Sequence, residues 1–362
     1  MLRTLRGLIP VLILAFRAGP AEVAFSNTDS TRPSCLDVAV DSAGTYRKEA
    51  VRFTSGDVSM AGQLFLPVEP GPHPGAVLLH GGGQARLNEA PLFFAPLLAQ
   101  CGIAALVYDK RGTGASGGVW EDAFFDDFAV DAAAAVAALA ARPDIEADRV
   151  GLVGFSQGGG LAPVVSVRYG RVAFIVSISG PFTSLEATRL YALEQRLIRW
   201  GLSGTVLDST LLLWQKHFAA VAHNEAEALI AMDDEIQETA RRYGKAVLPP
   251  TADRLPRTPM YNSMGRDYTA ELKFLRTPML AVYGDRDAVV PVRPSIDALQ
   301  NVLEEEGRRR LDVHIIPFAD HSFTDWTFKQ RIKVEEIVIA WIQARLADTS
   351  TGAPSVGTTQ KR

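Results

Sequence analysis

The stretch Arg149-Val150-Gly151-Leu152-Val153-Gly154-Phe155-Ser156-Gln157-Gly158-Gly159-Gly160-Leu161-Ala162 decides how this chain is read. It opens as a short apolar strand and continues, after Ser156, into a segment of helical character that runs towards Arg168. A serine on so sharp a strand-to-helix turn takes strained backbone angles, so its neighbours two positions before and after must be small. Gly154 and Gly158 fill those positions. Such a turn lifts the hydroxyl above a sheet. It also aims the following N–H groups and the positive end of the helix at the same point. A Gly-x-Ser-x-Gly string alone is common, and the strand before it and the helix after it are what give it weight.

Outward from this turn, apolar strands alternate with helical segments. Residues 49–67 alternate apolar and polar about Ser55-Gly56-Asp57 and predict a β-hairpin. Strands follow at 76–80, 104–108, 149–153, 172–179, 279–284 and 311–316. Helices are expected at 91–100, 126–141 (ended by Pro143), 293–306 and 323–346. This rhythm predicts an α/β fold: a mainly parallel sheet with helices on both faces, begun by antiparallel strands.

Between 183 and 274 the alternation stops and the pattern turns helical, best at 185–202, 206–221 and 225–243. A proline-rich link (Pro249, Pro250, Pro256, Pro259) follows. The segment is expected to be an inserted cap over the strand ends, where open α/β sheets bind ligands. Its Tyr191, Leu197, Trp200, Leu212, Trp214 and Phe218 are expected to form the core of that cap. The expected layout is therefore a core of 48–182 and 275–347, a cap of 183–274, and a disordered tail at 348–362.

Composition narrows the function. The chain has 362 residues, 47% hydrophobic and 22% charged, with a formal net charge of -4. That balance suits a globular protein with a sizeable core and offers no basic surface for nucleic acid or an anionic membrane. Histidines at 73, 80, 217, 223, 314 and 321 form no metal-binding motif, so neither metal nor cofactor is expected.

The N-terminus has the three parts of an export signal. Arg3 and Arg6 precede an apolar run at 7–16, and small residues follow, with cleavage expected after Ala21. The protein is therefore expected to be periplasmic or secreted, with no membrane span once residues 1–21 are removed. Export would permit a disulfide between Cys35 and Cys101, the only cysteines. Cys101 sits where a helix hands over to a buried strand, however, which predicts a buried free thiol.

A serine nucleophile needs a base and a group that orients the base. In the order Ser, Asp, His, the chain supplies Ser156, Asp287 in Gly284-Asp285-Arg286-Asp287, and His321 in Asp320-His321-Ser322. Each lies on a loop at the same rim of the predicted sheet. His321 would take the serine proton and return it to the leaving group, while Asp287 would fix the imidazole tautomer.

With these residues in view, the chain resembles the α/β-hydrolase superfamily, and within it capped esterases related to dienelactone hydrolase and prolyl-oligopeptidase-type enzymes. The matching motifs are His80-Gly81-Gly82-Gly83, Asp109-Lys110-Arg111-Gly112-Thr113-Gly114-Ala115-Ser116, the serine turn, the Gly-x-x-Asp loop and Asp-His-Ser. They span about residues 50–180 and 275–345; the predicted cap matches none of them. The resemblance places the acid at the second aspartate, Asp287 rather than Asp285. It also implies that Gly82 and Gly83 complete an oxyanion site to which the serine turn itself gives Gln157 N–H; His80, by its place at the strand end, is expected to brace that loop.

The expected activity is hydrolysis of small carboxylic esters with short to medium acyl chains through an acyl-enzyme, without a cofactor. Peptidase, thioesterase or acyltransferase chemistry would use the same residues, and a binding protein on this fold is the rival from another class. Two decoys lose to this reading. Gly112–Gly117 matches a dinucleotide-binding pattern, but Gly118 extends the loop where a helix should open. Gly154–Gly160 lacks the Lys-Ser/Thr of a phosphate-binding loop.

Overall fold

The computed structural model describes residues 34–37, 44–84, 90–170, 172–243, 248–324 and 333–349. The predicted signal at 1–21 and most of the predicted tail lie outside these. Eight strands form one sheet: β1 (Arg47–Ser55), β2 (Val58–Leu66), β3 (His73–Leu79), β4 (Ala104–Tyr108), β5 (Ile145–Phe155), β6 (Ile175–Ile178), β7 (Met279–Gly284) and β8 (Leu311–Ile316). Their order is β1-β2-β4-β3-β5-β6-β7-β8. β1 and β2 form the predicted hairpin and β2 meets β4 antiparallel; every later pairing is parallel.

Strand residues point alternately to the two faces, so each strand serves two cores. Val77 and Leu79 of β3, with Met279, Ala281 and Tyr283 of β7, face one helical layer. That layer comprises α2 (Phe125–Ala140), α3 (Gln157–Tyr169) and α8 (Val292–Val302). Leu78, Leu280 and Val282 face the other, made by α1 (Ala90–Gln100) and α10 (Val334–Thr349). Both faces are covered, which is why the inner strands are apolar without interruption.

Between β6 and β7 the chain forms α4 (Leu185–Arg199), α5 (Gly204–Ala222), α6 (Ala226–Tyr243) and the single turn α7 (Pro259–Asn262). Among the six residues expected to fill its core, Leu197 and Phe218 are buried and Trp214 packs on Phe218. Tyr191 is half-buried and donates to the Asp287 carbonyl (2.8 Å). Trp200 and Leu212, by contrast, are exposed.

Four expectations need correction. Cys35 and Cys101 are joined in a disulfide, so Cys101 is not a free thiol. A short 3-10 turn at Ser34–Asp37 packs on α1 and brings the two Cα atoms to 5.2 Å. Nothing in the sequence foretold that approach across 66 residues. The helix expected at 293–306 is two: Leu303 turns to extended angles as its side chain is buried, and α9 (Glu305–Arg309) starts afresh. The last helix does not begin at Phe323, which has φ 57° and closes a turn onto Asp320; it is seen from Val334. Finally, α10 continues through Asp348 to Thr349, into the predicted tail.

Candidate active site

Ser156 stands between β5 and α3 at φ 50°, ψ -115°, a left-handed setting that is strained for any residue with a Cβ. The flanking glycines are required by contact. A Cβ on Gly154 would run into the Gly158 carbonyl, and one on Gly158 into Leu79 O at 2.5 Å. The turn is pinned by Ser156 N–H, which donates to Ile178 O at 2.7 Å.

The loops after β7 and β8 are laced together. Asp285 N–H donates to Ile316 O (3.1 Å) and Arg286 N–H to Ala319 O (2.9 Å). Gly284 permits the crossing, because a Cβ there would collide with the Ala319 carbonyl. This clasp brings Asp287 to His321: their Oδ2–Nδ1 distance is 2.7 Å. A carboxylate only accepts, so the proton sits on Nδ1 and Nε2 is left as an acceptor. Ser156 Oγ–H donates to that Nε2 at 3.1 Å.

The second carboxylate oxygen of buried Asp287 accepts from Val289 N–H and Val290 N–H, each at 2.8 Å, which fixes its plane. Asp285 instead pairs with Arg286 at 3.8 Å. The structure thus joins Ser156, His321 and Asp287 and leaves Asp285 aside. A hydroxyl so placed can lose its proton to the imidazole as it attacks an electrophile, and the fixed carboxylate favours the resulting imidazolium.

Gly81, Gly82, Gly83 and Gln157 line the same cavity as Ser156 and His321. Sequence reasoning missed what holds that loop. Lys110, buried at the end of β4, donates through Nζ to Gly81 O, to Gly83 O (3.2 Å) and to Gln157 Oε1 (2.8 Å). It also lies 5.1 Å above the Phe128 ring. One ammonium therefore ties together both segments that could present N–H groups to an oxyanion. The available signal was a lysine two residues beyond an all-apolar strand, at the carboxyl end of the sheet where ligands bind.

His80 has the bracing place expected of it. Its Nε2–H donates to Tyr108 O at 2.8 Å. Burial first, and then the Lys110 charge, lower its pKa to about 4, so it stays neutral. The Gly112–Gly117 decoy is a structural loop: the Asp109 carboxylate accepts from Ala115 N–H (2.8 Å) and Ser116 Oγ–H donates to Asp109 O (2.7 Å).

The cavity has a volume of about 630 Å³, within the range of small-molecule sites. The sheet side supplies Ser156, Gln157, Leu161 and Val164. The segment between β6 and β7 supplies the opposite wall, including Leu185, Thr188, Arg189, Met260, Tyr268 and Leu272.

Comparison with known proteins agrees with this architecture. Residues 72–324 match the family model described as "Serine aminopeptidase, S33". No curated protein matches the sequence. Among solved structures, the α/β hydrolase GrgF from Penicillium sp. sh18 is similar with a TM-score of 0.57 at 19% identity, over 83% of this chain and 99% of that one. The Pyrococcus furiosus esterase PF2001 gives a TM-score of 0.52 at 17% identity, over 83% and 91% of the two chains. Est1E from Butyrivibrio proteoclasticus, solved with ferulic acid bound, gives 0.53 at 15%, over 84% and 100%. At such identities the likeness concerns the fold alone. The family match spans most of the chain, and the protein is a member of the serine aminopeptidase S33 family of α/β hydrolases.

Proposed function

We propose that this protein is a serine-dependent carboxylesterase acting on small esters with short to medium acyl chains. The observation that carries the reading is the hydrogen-bonded chain Ser156–His321–Asp287 opening into a cavity with mainly apolar walls. Ser156 Oγ attacks the ester carbonyl as His321 Nε2 takes its proton. The N–H groups of Gln157, Gly82 and Gly83 stabilise the oxyanion. The C–O bond to the alcohol breaks, the imidazolium protonates the leaving oxygen, and an acyl-serine remains. Water, deprotonated by His321, then releases the acid. The segment 183–274 acts as a cap that limits access and excludes water.

Export remains part of the proposal. The N-terminal pattern motivates it, and the Cys35–Cys101 pairing supports an oxidising compartment. The decisive experiment is labelling with a fluorophosphonate probe beside p-nitrophenyl esters of increasing chain length, aminoacyl arylamides and thioesters. Labelling and ester hydrolysis that both vanish in Ser156→Ala are expected. Folded protein that neither labels nor hydrolyses any ester would favour a binding protein, and faster cleavage of arylamides would favour a peptidase.

A further inference from the structure

The cavity contains a cation to which no described residue offers an ion-pair partner. Arg189, on α4, lines it. Its Nε is buried and makes no hydrogen bond, and among the described residues none forms an ion pair with its guanidinium. The carboxylate within helical reach, Glu186, accepts from Gly265 N–H (2.6 Å). Burial is the main cause that lowers the Arg189 pKa; Arg196, further along the helix, adds repulsion, and Tyr261 offsets part of it. Arginine nevertheless stays charged at any physiological pH.

The remaining charged groups of the cavity are engaged or exposed. Arg266 is exposed, pairs with Asp126 at 3.8 Å and stacks over the Phe124 ring. Asp267, also exposed, accepts from Thr269 N–H (2.8 Å) and Thr269 Oγ1–H (2.6 Å). The walls are otherwise dominated by apolar side chains such as Phe125, Phe128, Leu161, Val164, Phe182 and Leu272. A largely buried charge with no internal partner is costly unless a ligand supplies the partner.

We infer that Arg189 is the receptor for a carboxylate on the substrate, so that the preferred esters have an apolar middle and an anionic end. This rests on the esterase reading above and names its substrate class. Charge-assisted pairing of a guanidinium with a carboxylate is bidentate and strong where water is partly excluded. The same cation opposes the α-ammonium group that an aminopeptidase must accommodate.

The test uses esters matched in length and differing in charge. Monomethyl adipate is compared with methyl hexanoate for a carboxylate on the acyl side. On the alcohol side, 4-(butanoyloxy)benzoate is compared with 4-methylphenyl butanoate. The wild-type protein should prefer the charged member of at least one pair by tenfold or more in kcat/KM. In Arg189→Met that preference should collapse to about one, chiefly through a raised KM for the charged member; Arg189→Lys should restore part of it. Wild-type preference for the neutral member of both pairs, or a charged preference that survives Arg189→Met, overturns the inference.

Binding provides a second readout that needs neither turnover nor a folded Arg189 variant. Calorimetry on Ser156→Ala should show monomethyl adipate or 4-(butanoyloxy)benzoate binding at least tenfold tighter than its neutral counterpart; equal or weaker binding of both overturns the inference. If instead no ester of either charge is hydrolysed and Ser156 does not label, the esterase reading itself has failed. The two failures are thus distinguishable.

Discussion

Lys110→Met separates the site chemistry from general stability. The substitution keeps an apolar stem near the Phe128 ring and removes the ammonium that ties Gly81 O, Gly83 O and Gln157 Oε1 together. Hydrogen bonds to a charged group are each worth about 1.5–3 kcal/mol. Their loss is offset because an ammonium no longer has to be desolvated, so net stability should change by only about 1–2 kcal/mol. Catalysis should suffer more. The loop that carries the Gly82 and Gly83 N–H groups loses its tie to the serine turn, and displacing one oxyanion donor costs about 2.7–4 kcal/mol, or roughly 10²–10³ in kcat.

The assay is steady-state hydrolysis of p-nitrophenyl butanoate with KM and kcat resolved, beside a urea titration. The expected result is a kcat lowered about a hundredfold, KM within about threefold, and partial recovery in Lys110→Arg. A variant with unchanged kcat but a lowered urea midpoint would show that the lysine only stabilises the fold, and the positioning argument would be wrong.

Other outcomes are as concrete. Asp287→Asn should lower kcat by roughly 10³–10⁴ with KM little changed, because an amide no longer enforces the Nδ1-protonated tautomer of His321; a loss below tenfold would remove Asp287 from the mechanism. Stability should fall as pH drops from about 6.5 towards 4, because His80 has its folded pKa lowered to about 4 and the unfolded chain takes up that proton first. The full effect of His80 is about 3 kcal/mol, present above pH 6.5 and lost at the acid end, and buried His217 contributes in the same direction. Urea titrations across this window should show a shallower slope in His80→Gln; an identical slope would refute the assignment. Breaking the Cys35–Cys101 bridge with Cys35→Ser and Cys101→Ser together should cost roughly 4 kcal/mol for the 66-residue separation it closes. Unchanged stability on adding reductant, with two free thiols by mass spectrometry, would mean that the pairing is absent.

The chain order of apolar runs was enough to determine an α/β sheet, because a strand buried on both faces must be apolar throughout and a helix covering it must repeat at 3.6 residues. The serine turn was legible for a partly local reason: Gly154 is forced by the Gly158 carbonyl four residues on, although Gly158 answers to Leu79 O on another strand. Gly284 left a fainter trace, since the carbonyl it accommodates belongs to Ala319 in another loop. Contacts between distant segments leave no periodicity. The choice of Asp287 over Asp285 rests on Val289 and Val290 N–H groups that turn one carboxylate towards His321. The Cys35–Cys101 bridge depends on where a 3-10 turn packs, Lys110 acts through a loop far from it in sequence, and Arg189 is distinctive because no acid among the described residues meets it. Sequence specified the elements and the residue types able to do chemistry. Tertiary packing decided which of those groups are paired, which are buried and which face the cavity, because burial and partnership are properties of the folded neighbourhood.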